Sequence, residues 1–179
     1  MSKKSVFCIA TTHQQAESIV DHLKNSNFYS NDISVLFPDK ESTHNFAHEK
    51  HTKAPEGAVA GASAGGVLGG TLGWIAGIGS LAIPGVGPFI AAGPIIAALT
   101  GVALGATVGG IAGGLVGLGI PEFEAKRYEG KIKEGNILIS VHTENSSDLK
   151  KAEEIFKKME AHDICSTSES SVPREVVHA

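Results

Sequence analysis

A stretch of 65 residues without a charged side chain or a histidine lies between Glu56 and Glu122. It holds 20 of the 22 glycines of the 179-residue chain, so all 15 basic and 19 acidic residues lie in the two flanks. This distribution excludes an evenly mixed soluble core, and an apolar content of 42% excludes a disordered chain. The sequence therefore predicts polar flanks around an apolar centre.

The glycines of this central block recur at every fourth position. The two series are Gly57, Gly61, Gly65, Gly69, Gly73 and Gly77, then Gly101, Gly105, Gly109, Gly113 and Gly117. A spacing of four places residues on one face of a helix and does not suit a strand. Glycine costs a helix in water about 1 kcal/mol relative to alanine, so such helices persist where backbones pack closely or where lipid surrounds them. The pattern predicts two helices, 55–79 and 95–119, packed as a glycine-zipper hairpin.

Each of these helices is long enough to cross a lipid bilayer. About 25 residues span roughly 37 Å, against a hydrocarbon core of roughly 30 Å. The hairpin is accordingly interpreted as transmembrane, in contact with membrane lipid and packed into a homo-oligomer. Basic residues in both flanks place the flanks in the cytoplasm and the connecting loop, Ser80 to Pro94, on the opposite side. A soluble assembly with the zipper helices buried in the oligomer would have the same sequence, and this alternative stays open.

The two flanks predict the halves of one α+β domain. The predicted order is strand, helix, strand before the hairpin, and then helix, strand, helix, strand after it. Residues 5–10, 33–37, 137–141 and 164–167 are the predicted strands, while helices are predicted to about Lys24, over 123–133 and from Asn145 to about Met159. Together the halves would form a ferredoxin-like split βαβ sandwich, interrupted between its second and third strands by the two-helix hairpin. The domain halves are 1–54 and 120–168, the hairpin is 55–119, and 169–179 is a flexible tail.

Several runs of residues resemble a family of bacterial general-stress and low-temperature-induced proteins. These runs are residues 37–39, 49–57, 119–122, 125–130 and 135–138. The resemblance implies a small bacterial protein with an N-terminal βαβ unit and a glycine-rich hydrophobic centre. With the predicted hairpin and its basic flanks, the expected location is the bacterial inner membrane with both termini cytoplasmic or, in the soluble alternative, the cytoplasm. The layout is also similar to the small membrane subunit of quinol:acceptor oxidoreductase complexes. Neither resemblance supplies a catalytic motif.

Two groups of side chains carry candidate chemistry. His44, His48 and His51 would share one face of a helix, where three imidazoles suit Zn²⁺, Cu²⁺ or Ni²⁺, although a solvated polar helix has the same pattern. Cys8 and Cys165 fall on the first and last strands, which are neighbours in the predicted sheet and suit a reversible disulfide, whereas buried thiols are usually inert. No catalytic residue and no cofactor are predicted, and a net charge of −4 argues against nucleic acid as a partner.

The sequence thus predicts a non-enzymatic membrane protein of the stress-response type, anchored and oligomerised through its hairpin. Two alternatives stay open. One is a soluble self-assembling structural protein, and the other is a regulatory domain that senses a small ligand or a metal.

Overall fold

Strands and helices alternate along both flanks of the chain, and the α+β class is confirmed. The computed structural model describes residues 4–38, 79–83, 87–96, 98–99 and 110–168. The strands are β1 (Lys4–Ala10), β2 (Ile33–Pro38), β3 (Gly79–Ile83), β4 (Gly87–Ala92), β5 (Ile137–Thr143) and β6 (His162–Ser168). The α-helices of the described ranges are α1 (His13–Asn25), α2 (Ile111–Gly117), α3 (Glu122–Lys133) and α4 (Ser146–Lys158), and a 3₁₀ turn covers Ser30–Asp32.

One antiparallel sheet holds strands from every described part of the chain. Its strand order is β3-β4-β2-β5-β1-β6. Strand β5 lies between the two strands of the N-terminal flank, with Val141 opposite both Val6 of β1 and Ile33 of β2. Because each flank's strands pair with strands of the other flank, neither flank forms its sheet alone.

The first helix begins with part of a capping box, in which Thr12 and Gln15 take the two side-chain positions. Thr12 is the N-cap, and its side-chain oxygen accepts a hydrogen bond from the Gln15 N–H at 3.1 Å. The side-chain carbonyl oxygen of Gln15 accepts a hydrogen bond from the backbone N–H of Thr11 at 2.9 Å, rather than from the N–H of Thr12. The side-chain nitrogen of Gln15 also donates to the backbone carbonyl oxygens of Met159 and Glu160, so Gln15 joins the start of α1 to the end of α4.

Helices cover both faces of the sheet, where the sequence analysis predicted a helical layer on one face. Residues of α1 and α4 pack against the side chains of Val6, Cys8 and Ile139, while α2 and α3 pack against Phe7, Ile9 and Leu138. The reason lies in the strands themselves: residues 5–10 of β1 are all buried, so both of its faces must be covered.

The connecting loop of the predicted hairpin is a pair of strands. Strands β3 and β4 pair with each other, and β4 extends the sheet by pairing with β2, with Leu36 opposite Ala91. A transmembrane hairpin would hold residues 80–94 a bilayer's width, roughly 30 Å, from the flanks. Since this segment shares a sheet with both flanks, the prediction of a membrane protein with transmembrane helices is wrong. In the described ranges, every helix is too short or too polar to cross a bilayer.

The second predicted helix, 95–119, is not continuous. Gly110 has φ +108° and precedes α2, a backbone conformation through which an α-helix cannot run. Helix α2 ends at Gly117, and Gly119, with φ +90°, turns the chain so that the N–H of Ile120 bonds to the carbonyl oxygen of Leu115. The first predicted helix lies outside the described residues except at Gly79, which begins β3.

An acidic side chain from α3 fixes the start of α2. The Glu129 carboxylate accepts a hydrogen bond from the N–H of Ala112 at 2.7 Å, and its other oxygen accepts one from the Lys133 ammonium at 2.6 Å. A carboxylate is favourable there because the first N–H groups of a helix have no partner within the helix. The charged flank therefore holds this part of the charge-free block in place.

Gly93 and Gly117 give a matched test of the packing of the central block. Gly93 has φ +83°, and a Cβ added there would lie 2.1 Å from the carbonyl oxygen of Ile33. A Cβ added at Gly117 would enter open space, with no atom of a neighbouring part of the chain within 4 Å. We expect Gly93→Ala to lower the free energy of unfolding by about 3 kcal/mol or more. Gly117→Ala should change it by less than about 1 kcal/mol, in the stabilising direction.

Urea denaturation of the two variants and the wild type measures these free energies. Similar stabilities for Gly93→Ala and Gly117→Ala would contradict the close approach of β4 to β2.

Candidate ligand-binding cleft

A cleft of about 1050 Å³ lies at one end of the sheet. Strand β2 begins and the antiparallel strand β5 ends at this edge, and α1 ends and α4 begins beside them. The residues that line the cleft are Ser26, Asn27, Phe28, Tyr29, Asn31, Asp32, Pro94, Ala98, Gly117, Leu118, His142, Thr143, Glu144, Asn145, Asp148 and Lys151. The sheet, the ends of α1 and α4 on one face, and the end of α2 on the other face thus all contribute to one concave surface.

His142 is the most deeply buried titratable residue of this lining, with 8% of its surface exposed. Its Nδ1 is hydrogen-bonded with the Ser5 hydroxyl at 3.0 Å, and its Nε2 with the hydroxyls of Ser34 at 3.2 Å and Ser140 at 3.0 Å. The ring of Phe7 packs edge-on against the imidazole at 6.0 Å between ring centres. Because both ring nitrogens are held and one face is packed, the orientation of the imidazole is fixed.

Strand alternation and register bring this His–Ser cluster (Ser5, Ser34, Ser140 and His142) together. Side chains two residues apart share one face of a strand, which places Ser140 and His142 on the same side of β5. Ser5 lies opposite His142 and Ser34 lies opposite Ser140 on the neighbouring strands. All three serines are fully buried. The sequence analysis did not identify this cluster, because its members are up to 137 residues apart and only the strand register unites them.

The rim of the cleft is polar and carries more acidic than basic groups. Carboxylates of Asp32, Glu144 and Asp148 line it together with the ammonium group of Lys151. The Lys151 ammonium donates to the carbonyl oxygen of Ser26 at 2.7 Å and lies 5.9 Å from the centre of the Phe28 ring. Lys151 therefore ties α4 to the end of α1 and neutralises the exposed carbonyl end of that helix.

The glycine-zipper residues are only partly within the described ranges. Gly113 and Gly117 lie in α2, while the other nine glycines of the predicted interface lie outside the described residues. Gly114 of α2 also packs closely, because a Cβ added there would lie 2.7 Å from Leu99 Cδ2. Close packing at α2 therefore uses a glycine outside the predicted period.

The other predicted site residues are the histidine trio and the two cysteines, and only the cysteines lie within the described residues. His44, His48 and His51 lie outside the described residues. Cys8 packs in the core beneath α1 and α4, whereas Cys165 packs on the opposite face of the sheet, so the two thiols do not face each other. In the ranges that the structure describes, no group of three or more histidine, cysteine or acidic side chains is arranged to hold a metal ion.

Cys165 is paired with an acidic side chain. Its thiol donates to the Glu124 carboxylate at 2.6 Å. Burial raises the pKa of Cys165 to about 12, and the hydrogen bond to Glu124 and the negative charge of that group act in the same direction. Burial also raises the pKa of Cys8. Since the thiolate is the reactive form, both cysteines are protected from oxidation and alkylation at neutral pH.

Comparison with known proteins does not assign a function to the cleft. No protein family, no curated protein and no solved structure gives a significant match to the chain. The cleft and the His–Ser cluster are therefore the structural basis for a functional proposal.

Alkylation by iodoacetamide tests the Cys165–Glu124 pair. Because a raised pKa leaves less thiolate at a given pH, the rate at Cys165 should be very low at pH 8 and rise about tenfold per pH unit up to pH 11. Glu124→Gln removes the negative charge, lowers the pKa and should speed the reaction severalfold at pH 9. Glu144→Gln is the control and should leave the rate unchanged. Mass spectrometry of the labelled peptide gives the rates, and equal rates in all three proteins would contradict the pairing.

Proposed function

We propose that the protein is a non-enzymatic regulatory domain that binds a small polar molecule in the cleft. The observation that carries this proposal is the placement of an oriented, nearly buried imidazole in the wall of a 1050 Å³ concavity. Small-molecule sites are typically clefts of about 300–1,000 Å³ with a few polar groups held in fixed directions. The His–Ser cluster supplies a wall of fixed orientation, because its hydrogen bonds hold the imidazole before any ligand arrives, and the side chains of the rim supply the polar groups.

Burial of the serines favours binding over catalysis. A serine nucleophile must reach its substrate, but the hydroxyls of Ser5, Ser34 and Ser140 are fully covered by protein. They lie behind the imidazole and are suited to orient it. A ligand would pack against the exposed edge of the imidazole and form its hydrogen bonds with the polar rim, because both ring nitrogens of His142 are already bonded to serine hydroxyls.

The fold proposed for the flanks is the ferredoxin-like split βαβ sandwich. Its support is the strand order β6-β1-β5-β2, which is the order expected when two βαβ units interleave in one antiparallel sheet. Helices α1 and α4 lie together on one face of these four strands. The strands β3 and β4 and the helices α2 and α3 are then additions to that sandwich.

The resemblance to bacterial general-stress proteins stays a prediction, as do the assembly into a homo-oligomer and the absence of enzymatic activity. Most glycines that would form the oligomer interface lie outside the described residues. The sensing alternative is preferred because the described residues build a cleft for it.

Binding to the cleft is tested with five compounds of different chemistry: arginine, spermidine, adenosine, glucose and inorganic phosphate. We expect at least one of them to bind and to shift the backbone amide signals of Phe28, Thr143 and Asn145 in nuclear magnetic resonance spectra. Asn31→Trp places an indole at the cleft, where it should weaken binding at least tenfold. Glu154→Trp introduces the same side chain at an exposed position of α4 outside the cleft and should bind as the wild type does.

Two results would contradict the proposal. One is that none of the five compounds perturbs residues of the cleft. The other is that Asn31→Trp and Glu154→Trp bind a compound equally well.

A further inference from the structure

A second concavity lies at the opposite end of the sheet from the cleft. It has a volume of about 360 Å³ and lies where β1 ends and where β5 and β6 begin. The polar groups of this basic pocket include Arg127 and Lys131 of α3, Asn136 before β5, and His162 and Asp163 of β6. The basic pocket shares no lining residue with the cleft.

A bulge in β6 shapes the basic pocket. In the pairing of β1 with β6, Phe7 lies opposite Cys165 and Ile9 lies opposite His162, so that three steps along β6 match two along β1. Asp163 lies in this bulge with φ +51°, a left-handed conformation that is uncommon in residues other than glycine. Bulges change the direction in which a side chain points and are frequent beside functional sites.

The carboxylate of Asp163 orients Arg127. With 12% of its side chain exposed, Asp163 forms an ion pair with Nη2 of the Arg127 guanidinium. The backbone carbonyl oxygen of Asp163 also accepts a hydrogen bond at 2.6 Å from the hydroxyl of Tyr128, the next residue of α3. Because every nitrogen of a guanidinium carries N–H groups, the ion pair at Nη2 leaves donors of Arg127 for a ligand.

Donors outnumber acceptors around the rest of the basic pocket. The Lys131 ammonium lies 3.3 Å from the Glu134 carboxylate in an exposed pair, which is weak and leaves further N–H groups for a ligand. The side-chain nitrogen of Asn136 donates one hydrogen bond, to the backbone carbonyl oxygen of Lys131 at 2.8 Å, and has a second N–H. The imidazole of His162 is exposed. The described lining contains one carboxylate, that of Asp163, which is already paired, so the pocket suits a ligand that supplies acceptor oxygens.

We propose that the basic pocket binds a small anion, a molecule with a phosphate or carboxylate group, through Arg127, Lys131 and His162. Hydrogen bonds from guanidinium and ammonium groups to such oxygens are stronger than hydrogen bonds between neutral groups. The pocket is basic although the chain has a net charge of −4, whereas the rim of the cleft is mainly acidic. The two ends of the sheet therefore suit ligands of opposite charge, and the anion site does not depend on binding in the cleft.

The full-length protein is titrated with sodium phosphate and with sodium succinate, and sodium chloride of the same ionic strength is the reference. Both anions should shift the backbone amide signals of Asn136, His162 and Asp163 in nuclear magnetic resonance spectra, and leave the signal of Asn145 at the cleft unchanged. The anion that binds more tightly identifies the preferred group, phosphate or carboxylate.

Two lysines of α3 give a matched pair of variants. Lys131 lines the basic pocket and Lys126 does not, yet both are exposed and each forms an ion pair within α3. Lys131→Gln should weaken anion binding about tenfold, because a charged hydrogen bond is lost. Lys126→Gln removes the same charge from the same helix and should bind as the wild type does. Arg127→Lys keeps the positive charge but loses the planar guanidinium, and should also weaken binding severalfold.

Three results would overturn the anion site. The first is that neither anion shifts the amide signals of the basic pocket beyond the effect of chloride at up to about 20 mM, a range that detects millimolar dissociation constants. The second is equal weakening by Lys131→Gln and Lys126→Gln, which would show a general attraction to the surface of α3. The third is that the anions shift Phe28, Thr143 and Asn145 instead, which would place them in the cleft and support the binding function proposed there.

Discussion

The pairing of β2 on both of its edges is the constraint on which the rest of the structure depends. One edge of β2 bonds to β5 from the C-terminal flank, and the other bonds to β4 from the central block. A single strand of six residues therefore joins three parts of the chain that differ sharply in composition. Since β5 in turn pairs with β1, the flanks and the described part of the block between them form one sheet, with a buried layer on each face.

The cleft is a consequence of this arrangement. At the β2 start and the β5 end, side chains of one face change from large apolar groups, such as Leu36 and Leu138, to the small polar Ser34 and Ser140. A buried polar side chain is stable only when it is hydrogen-bonded, and the serines meet this requirement through His142 and, for Ser34, through the Ile95 N–H. The polar cluster thus serves two purposes. It provides hydrogen-bond partners for the buried polar groups of the sheet where the apolar core ends. It also fixes the orientation of an imidazole in the wall of the cleft.

The flank elements were largely predictable from sequence, whereas the described part of the central block was not. Apolar periodicity located α1 and α4, and the helix predicted over 123–133 agrees closely with α3, which Gly135 follows with φ +99°. The continuous apolar run from Val6 to Ala10 is itself typical of a strand covered on both faces, as β1 is. A spacing of four describes a helix face but does not exclude residues such as Gly110, whose φ of +108° interrupts the second predicted helix. The Pro-rich connection was interpreted as a loop although Phe89 to Ala92 form a strand. The His–Ser cluster depends on register between distant strands, and no local pattern reveals that register.

The central claim, that the middle of the chain belongs to the same sheet as the flanks, is tested most directly by nuclear Overhauser contacts between backbone protons. Two contacts decide it, one between Leu36 and Ala91 across β2 and β4, and one between Val35 and Ile139 across β2 and β5. The structure predicts both contacts in the same sample of the full-length protein. The contact between Val35 and Ile139 without the one between Leu36 and Ala91 would show that the central block lies away from the sheet, and would contradict the account.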